Sequence, residues 1–226
     1  MEPEKKVKRK PSKNETQTIP IVIITVPHST CLNWAFNSGH FCDPKALQAA
    51  KAIDNCLKNY RIHVEFFPDK NIGEEMMHRS IYDENRKNTG AMESRVRKRL
   101  KDYIEKNRAN IKFAIDVHSY PPEDKNITKD LDMYVLDTDY GDEGEKPYYV
   151  QKTDEFIREV RKTSEGIKID VYEGAKENYL EELFRNAGIQ SFLLEVNEIL
   201  SDREIEQYAC EAAQIIYEVY IKNAFI

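Results

Sequence analysis

The chain lacks any run approaching the roughly 20 consecutive apolar residues that a membrane span needs. The basic N-terminal cluster Lys5, Lys6, Lys8, Arg9 and Lys10 is not followed by the apolar stretch of a secretory signal. No membrane partner and a cytoplasmic location are therefore expected. Close cysteine pairs are missing too: Cys31, Cys42, Cys56 and Cys210 form no Cys-x-x-Cys motif, and cysteines so spaced read as the reduced thiols of an intracellular protein. There is no surplus of basic charge, with 34 lysines and arginines against 40 aspartates and glutamates and a net charge of −6. Nucleic acid is then not an expected partner, because binding it requires a basic face that releases counterions. The one basic cluster, Arg95, Arg97, Lys98, Arg99 and Lys101, follows a helical pattern and reads as a solvated face. No internal repeat or second domain is visible.

What is present suits one folded core: 226 residues, of which 40% are hydrophobic and 10% aromatic. Residues 1–18 read as a disordered polar tail and residues 19–226 as a single domain. Ile19 to Val26 is a continuous, largely β-branched run, the mark of a strand covered on both faces. Pro44 to Tyr60 carries Ala46, Leu47, Ala50, Ile53 and Leu57 at helical spacing, behind Asp43 as the N-cap and Pro44 in the first turn. Further strands are expected at Ile62 to Phe67, Lys112 to Val117, Met133 to Leu136, Ile167 to Val171 and Ser191 to Val196. Helices are expected at Gly90 to Arg108, Tyr148 to Lys162, Glu177 to Asn186 with Gly188 as its stop, and Asp202 to Ile221 with Asp202 near its cap. Asn71 to Thr89 shows no clean period and is too long for a plain connection. Strands alternating with helices predict an α/β domain with a mostly parallel sheet covered on both faces.

In such a sheet, ligands bind outside the carboxyl ends of the strands. Three expected strands deliver polar residues there: Pro27-His28-Ser29, Asp116-Val117-His118-Ser119, and Glu195 leading into Asn197 and Glu198. Two neutral imidazoles and a carboxylate suit zinc, and leave a fourth position for water. A further carboxylate can then take the proton of that water. Asp116 stands two residues before His118 and can hold an imidazole N–H, fixing the ligating tautomer. One histidine at a strand end is ordinarily a surface or hydrogen-bonded residue; two on separate buried strands make a metal site a serious reading. Glu195, within Phe192-Leu193-Leu194-Glu195, would be a costly burial without a purpose. The second dense segment runs from His78 to Arg86, where two arginines flank an Asp-x-Asn-Arg string. Arginine grips carboxylates in bidentate fashion and stabilises developing oxyanions; the plainer alternative is a solvated, ion-paired loop.

Taken in order, these motifs resemble those of the N-formylglutamate amidohydrolase family, a branch of the zinc-carboxypeptidase-like hydrolases. The matching residues are Pro27-His28-Ser29-Thr30, Asp43 before the alanine-rich Ala46, Ala49 and Ala50, Arg79 through Asp83 to Asn85 and Arg86, then Asp116, His118 and Ser119, Asn178, and Glu195. The resemblance implies a single-domain three-layer α/β/α fold of the phosphorylase/hydrolase-like kind, with a mostly parallel or mixed sheet and a catalytic domain over residues 19–226. It implies one Zn2+ held by His28, His118 and a carboxylate taken as Asp43, with Glu74 or Glu75 as rivals. Glu195 and Arg79 would be catalytic, activating water and polarising the scissile carbonyl. Asn85, Arg86 and Asn178 would bind the substrate, with the first two on its carboxylate. Thr30 stands where the family has glycine, and the late glycine-rich loops are reduced to Tyr172-Glu173-Gly174; both departures bear on the substrate more than on the metal. The function implied is cleavage of the amide bond of a small N-acyl amino acid, N-formylglutamate-like, with a free carboxylate. The alternatives are a carboxypeptidase-like peptide hydrolase and an inactive module binding small carboxylates. A cysteine hydrolase built on Cys31 beside His28 lacks an orienting residue.

Overall fold

The computed structural model of the chain describes residues 19–27, 43–67, 95–122, 130–137, 146–164, 166–173 and 179–222. The described strands are β1 (Ile21–Thr25), β2 (His63–Phe67), β3 (Ile111–Tyr120), β4 (Met133–Asp137), β5 (Ile169–Glu173) and β6 (Ser191–Asn197). The helices are α1 (Ala46–Leu57), α2 (Arg95–Asn107), α3 (Lys146–Thr163), α4 (Tyr179–Asn186) and α5 (Asp202–Ile216), the last running into a π-helical turn at Tyr217–Ile221. The strands form one sheet in the order β2-β1-β3-β6-β4-β5. β2, β1, β3 and β6 are parallel; β4 runs antiparallel to β6 and carries β5 parallel to itself. The sheet is therefore mixed, and the domain is α/β as expected.

The continuous apolar run of β1 follows from its two covered faces. Val22 and Ile24 join a core with α1, α3 and α5 through Ile53, Phe156 and Ala212. Ile21 and Ile23 join a second core with α2 and α4 through Leu100, Ile104, Leu180 and Phe184. These are the three layers. Phe113 of β3 stacks on Tyr220 with centroids 4.4 Å apart and meets Phe192 of β6 edge-on at 5.1 Å, locking the sheet centre to the C-terminal turn. Alanines at 46, 49 and 50 on α1, and at 209, 212 and 213 on α5, are fully or almost fully buried, which lets these two helices approach closely.

Several boundaries differ from the sequence expectation for local reasons. β3 continues to Tyr120, because its far half pairs with β6 as far as Asn197; the pairing partner was not legible locally. α5 starts at Asp202, which adjoins the cap as expected; the cap itself is Ser201, with a full capping box to Glu204. α4 ends as expected: Gly188, at φ 68°, and Ile189 donate to Arg185 and Phe184 in a Schellman arrangement. The basic cluster on α2 is not uniformly solvated, since Arg97 shares the inward stripe of Leu100 and Ile104 and is buried. Residues 1–18 and the Asn71 to Thr89 segment lie outside the described residues.

The cysteine expectation is overturned at two positions. Cys56 on α1 and Cys210 on α5 form a disulfide across a sequence separation of 154 residues. Only the packing of α1 on α5 brings them together, so spacing along the chain carried no sign of it. The reduced-thiol reading was one support of the cytoplasmic expectation, which loses it, because stable disulfides belong mainly to oxidising compartments. Among the described residues, no helix is long and apolar enough to cross a membrane. Replacing both Cys56 and Cys210 by alanine should lower unfolding stability by about 2–4 kcal/mol. Urea denaturation of the variant and of the reduced wild type should give matching losses; an unchanged midpoint in both would show that the bridge is energetically idle.

Candidate functional site

The sheet changes winding direction between β1 and β3: the chain leaves β1 for β2 on one side, and β3 lies on the other. Such a switch opens a crevice at the carboxyl ends of the strands. Thr25, the last residue of β1, pairs in register with Asp116 of β3. Thr25 Oγ1 donates to Asp116 Oδ1 at 2.6 Å. Asp116 has no exposed surface, and its Oδ2 lies 3.1 Å from His118 Nε2. The opposite ring nitrogen, Nδ1, lies 2.8 Å from Asp43 Oδ2. Asp43 and His118 are 3% and 4% exposed, so the whole chain of contacts from Thr25 to Asp43 is shut off from bulk water.

This geometry constrains the charge on the ring. Burial works against a charged His118, but proximity and hydrogen bonding to Asp116 and Asp43 outweigh it and hold the pKa well above the ordinary histidine value. A carboxylate facing each nitrogen means that both positions need a cation-bearing partner. Two acceptors are not stable 2.8 Å apart with nothing shared between them, so the contact is a hydrogen bond with a proton between Asp43 and Nδ1; a metal ion bound to both atoms would take the place of that proton. With Asp116 holding Nε2–H, Nδ1 is the nitrogen that a metal ion would take, on the carboxylate–histidine–metal pattern. The donor chemistry thus fits a zinc-type ion. Among the described residues, however, no group of three or more His, Cys, Asp or Glu side chains is arranged to hold one, so a third protein donor has to come from elsewhere.

Glu195 of β6 is the register partner of His118, placing the two on neighbouring strands roughly 4.8 Å apart. On its other side Glu195 pairs with Tyr134 of β4. The residue is half-buried between buried Leu194 and Val196, and its Oε2 atom is itself buried. Beyond it, Tyr120, Tyr134 and Tyr172 form an aromatic cluster, with centroids 5.0 Å apart for the first pair and 5.4 Å for the second. Burial pushes the Tyr120 phenol well above its ordinary range; Asn197 works the other way, and the charges of Asp132 and Glu195 add to the rise. Tyr120 therefore keeps its proton, which it donates to the Leu131 carbonyl, and is a wall of the site rather than a base.

Of the residues singled out from sequence, Asp43, Asp116, His118 and Glu195 meet at one rim. His28, Arg79, Asn85, Arg86 and Asn178, and the rivals Glu74 and Glu75, lie outside the described residues. Asp43 is the informative case. Its backbone carbonyl accepts from Ala46 N–H at 3.2 Å in the turn ahead of α1, whose N-cap is Lys45 and not Asp43 as expected from the sequence. Its side chain, read from local sequence as a cap, faces His118 instead. Thr25 was missed, because a threonine closing an apolar strand looks like any β-branched strand residue.

No family model matches the sequence, and no curated protein does. Solved structures do resemble it. Gene product Atu2144 from Agrobacterium tumefaciens matches with a TM-score of 0.58 at 12% identity, covering 92% of this chain and 91% of that one. A metallo-carboxypeptidase from Burkholderia cenocepacia matches with a TM-score of 0.62 at 12% identity, covering 96% of this chain and 60% of the other. The product-bound cell shape determinant protein Csd4 from Helicobacter pylori matches with a TM-score of 0.57 at 13% identity, covering 89% of this chain and 50% of that one. The chain thus spans only part of the length of the last two. At these identities the likeness is one of fold: the domain has the metallo-carboxypeptidase-like α/β architecture expected from its sequence.

Thr25→Val keeps the shape of the side chain but removes a donor to buried Asp116. The expected cost is about 1–3 kcal/mol of stability, measured by urea denaturation of metal-free protein. A loss below a few tenths would mean that Thr25 does not hold Asp116.

Proposed function

We propose that the protein is a zinc-dependent hydrolase that cleaves the amide bond of a small substrate bearing a free carboxylate, an N-acyl amino acid of the N-formylglutamate type. The observation that carries this reading is the buried run Asp43–His118–Asp116, ending beside Glu195 on the adjoining strand. Asp43 Oδ2 and His118 Nδ1 are the described donors. His28, the residue after Pro27 at the end of the β1 run, completes the set in this reading. The Asp43–His118 contact is what favours Asp43 over Glu74 and Glu75 as the carboxylate ligand.

Zinc, when bound, would act as a Lewis acid and make a water nucleophile accessible near neutral pH. The remaining work falls to the chain. Asp116 holds the His118 ring in its ligating tautomer, and Thr25 holds Asp116. Glu195 takes a proton from the attacking water as the new carbon–oxygen bond forms, and delivers it to the nitrogen as the carbon–nitrogen bond breaks. Arg79 polarises the scissile carbonyl, while Asn85, Arg86 and Asn178 bind the substrate, the first two on its carboxylate. The products are a free carboxylic acid and a free amine.

A second reading, hydrolysis of a peptide at its C-terminus, is favoured by the metallo-carboxypeptidase and the tripeptide-bound Csd4 structure among the fold neighbours. Both readings use the same carboxylate grip and differ in the acyl side of the bond. Protein purified without added metal should contain about one zinc per chain by atomic emission. A panel of N-acyl amino acids and short peptides then separates the two substrates. Glu195→Gln should retain zinc and lose at least about 100-fold in turnover, whereas Asp43→Ala should lose zinc. Metal-free, inactive protein that still binds small carboxylates would replace both readings with a binding module.

A further inference from the structure

The entry to α1 shows an exchange of partners. Asp43, Pro44 and Lys45 stand in the order of an N-cap, a first-turn proline and the next helical residue. An aspartate in that position ordinarily accepts the N–H of the second or third helical residue on its side-chain oxygen. In the structure α1 starts at Ala46 and Lys45 is its N-cap, so Asp43 stands two residues ahead of the cap. Ala46 donates to the Asp43 backbone carbonyl at 3.2 Å in the turn before the helix, and Lys45 donates its N–H to Ser119 Oγ at 3.3 Å. The Asp43 carboxylate meanwhile faces His118. The N-cap, Lys45, supplies no side-chain cap of its own.

Ser119 is built to receive that N–H. It is 4% exposed and follows His118 on β3, so its side chain leaves the sheet on the opposite face from the imidazole. A hydroxyl has one proton and two lone pairs. Ser119 gives its proton to Glu198 Oε1 at 2.9 Å, which turns a lone pair toward Lys45. The Lys45 side chain is tied in turn to Asp202 at 2.6 Å, and Gln48 reaches the Asp202 carbonyl. Two adjacent residues of one strand thus hold the two ends of a three-residue segment: His118 holds the Asp43 carboxylate and Ser119 the Lys45 amide.

We infer that Ser119 is a positioning residue, which caps α1 from the neighbouring strand and so leaves the Asp43 carboxylate available to His118 and to a metal. The inference rests on the zinc reading above for its consequence, not for its geometry. Without the Ser119 hydroxyl, Lys45 N–H loses its acceptor, and the carboxylate two residues upstream can take its place in an Asx turn. Asp43 then turns back into the cap that its local sequence describes, and leaves the ring.

Zinc affinity, measured by chelator competition, should fall roughly tenfold in Ser119→Ala and further in Asp43→Ala. The double variant should be no weaker than Asp43→Ala alone, because Ser119 acts through Asp43. A Ser119→Ala variant with wild-type affinity, or a double variant weakened by the full product of both losses, overturns the inference. Wild-type protein without measurable zinc binding would sink the functional reading instead. In that case, the crystal structure of metal-free Ser119→Ala decides. An Asp43 carboxylate on the N–H of Lys45 or Ala46 upholds the inference, and one still against His118 refutes it.

Discussion

His118 carries the constraint on which the rest of the site depends: a buried imidazole with a carboxylate at each nitrogen. Burying one charge without a partner is costly, and burying two like charges is worse. The arrangement is tolerable only while something positive lies between ring and carboxylate, and while each remaining oxygen has a donor. That requirement reaches outward through the fold. It accounts for a hydroxyl at the end of β1, where the run of Ile and Val gives way to Thr25. It accounts for a β3 that stays in the sheet past Asp116, since His118 must be held beside β6. It also accounts for an α1 that starts against the end of that strand.

The mixed direction of the sheet shapes the other side of the rim. Because β4 runs against β6, the start of β4 rather than its end lies beside Glu195. The chain approaching β4 places the Leu131 carbonyl where both Tyr120 and Asn197 can bond it. The tyrosines of β3, β4 and β5 then close the sheet surface beyond Glu195. A fully parallel sheet would have put a strand end and its outgoing loop there instead.

Much of this was legible in the sequence, and the parts that were not share a cause. The run from Ile21 to Thr25 announced a two-faced strand, and His118 and Glu195 stood out because polar residues at the ends of apolar runs need a reason. Asp116 was legible from its spacing to His118. Asp43 was legible twice over with different meanings: Asp-Pro-Lys is a sound capping signature, and local sequence cannot tell whether a distant strand supplies the cap. Thr25 carried no signal, and Ser119 stood only as part of the Asp-x-His-Ser string without a role, since their roles exist only in the register of β1 with β3 and in the approach of α1. Arg97 looked like its basic neighbours, and only the inward stripe of α2 separates it from them. In each case the missing information was a tertiary neighbour.

The Cys56–Cys210 bridge also has a topological meaning. It closes a covalent loop spanning 154 residues, with His118 and Glu195 inside it and Thr25 and Asp43 on the stretch of chain that precedes it. A single backbone cleavage anywhere within that loop opens the ring without releasing either fragment. The nicked molecule remains one covalent species, its halves tethered at high effective concentration. Reduction after a cut between Cys56 and Glu195 would part the piece bearing Thr25 and Asp43 from the piece bearing Glu195.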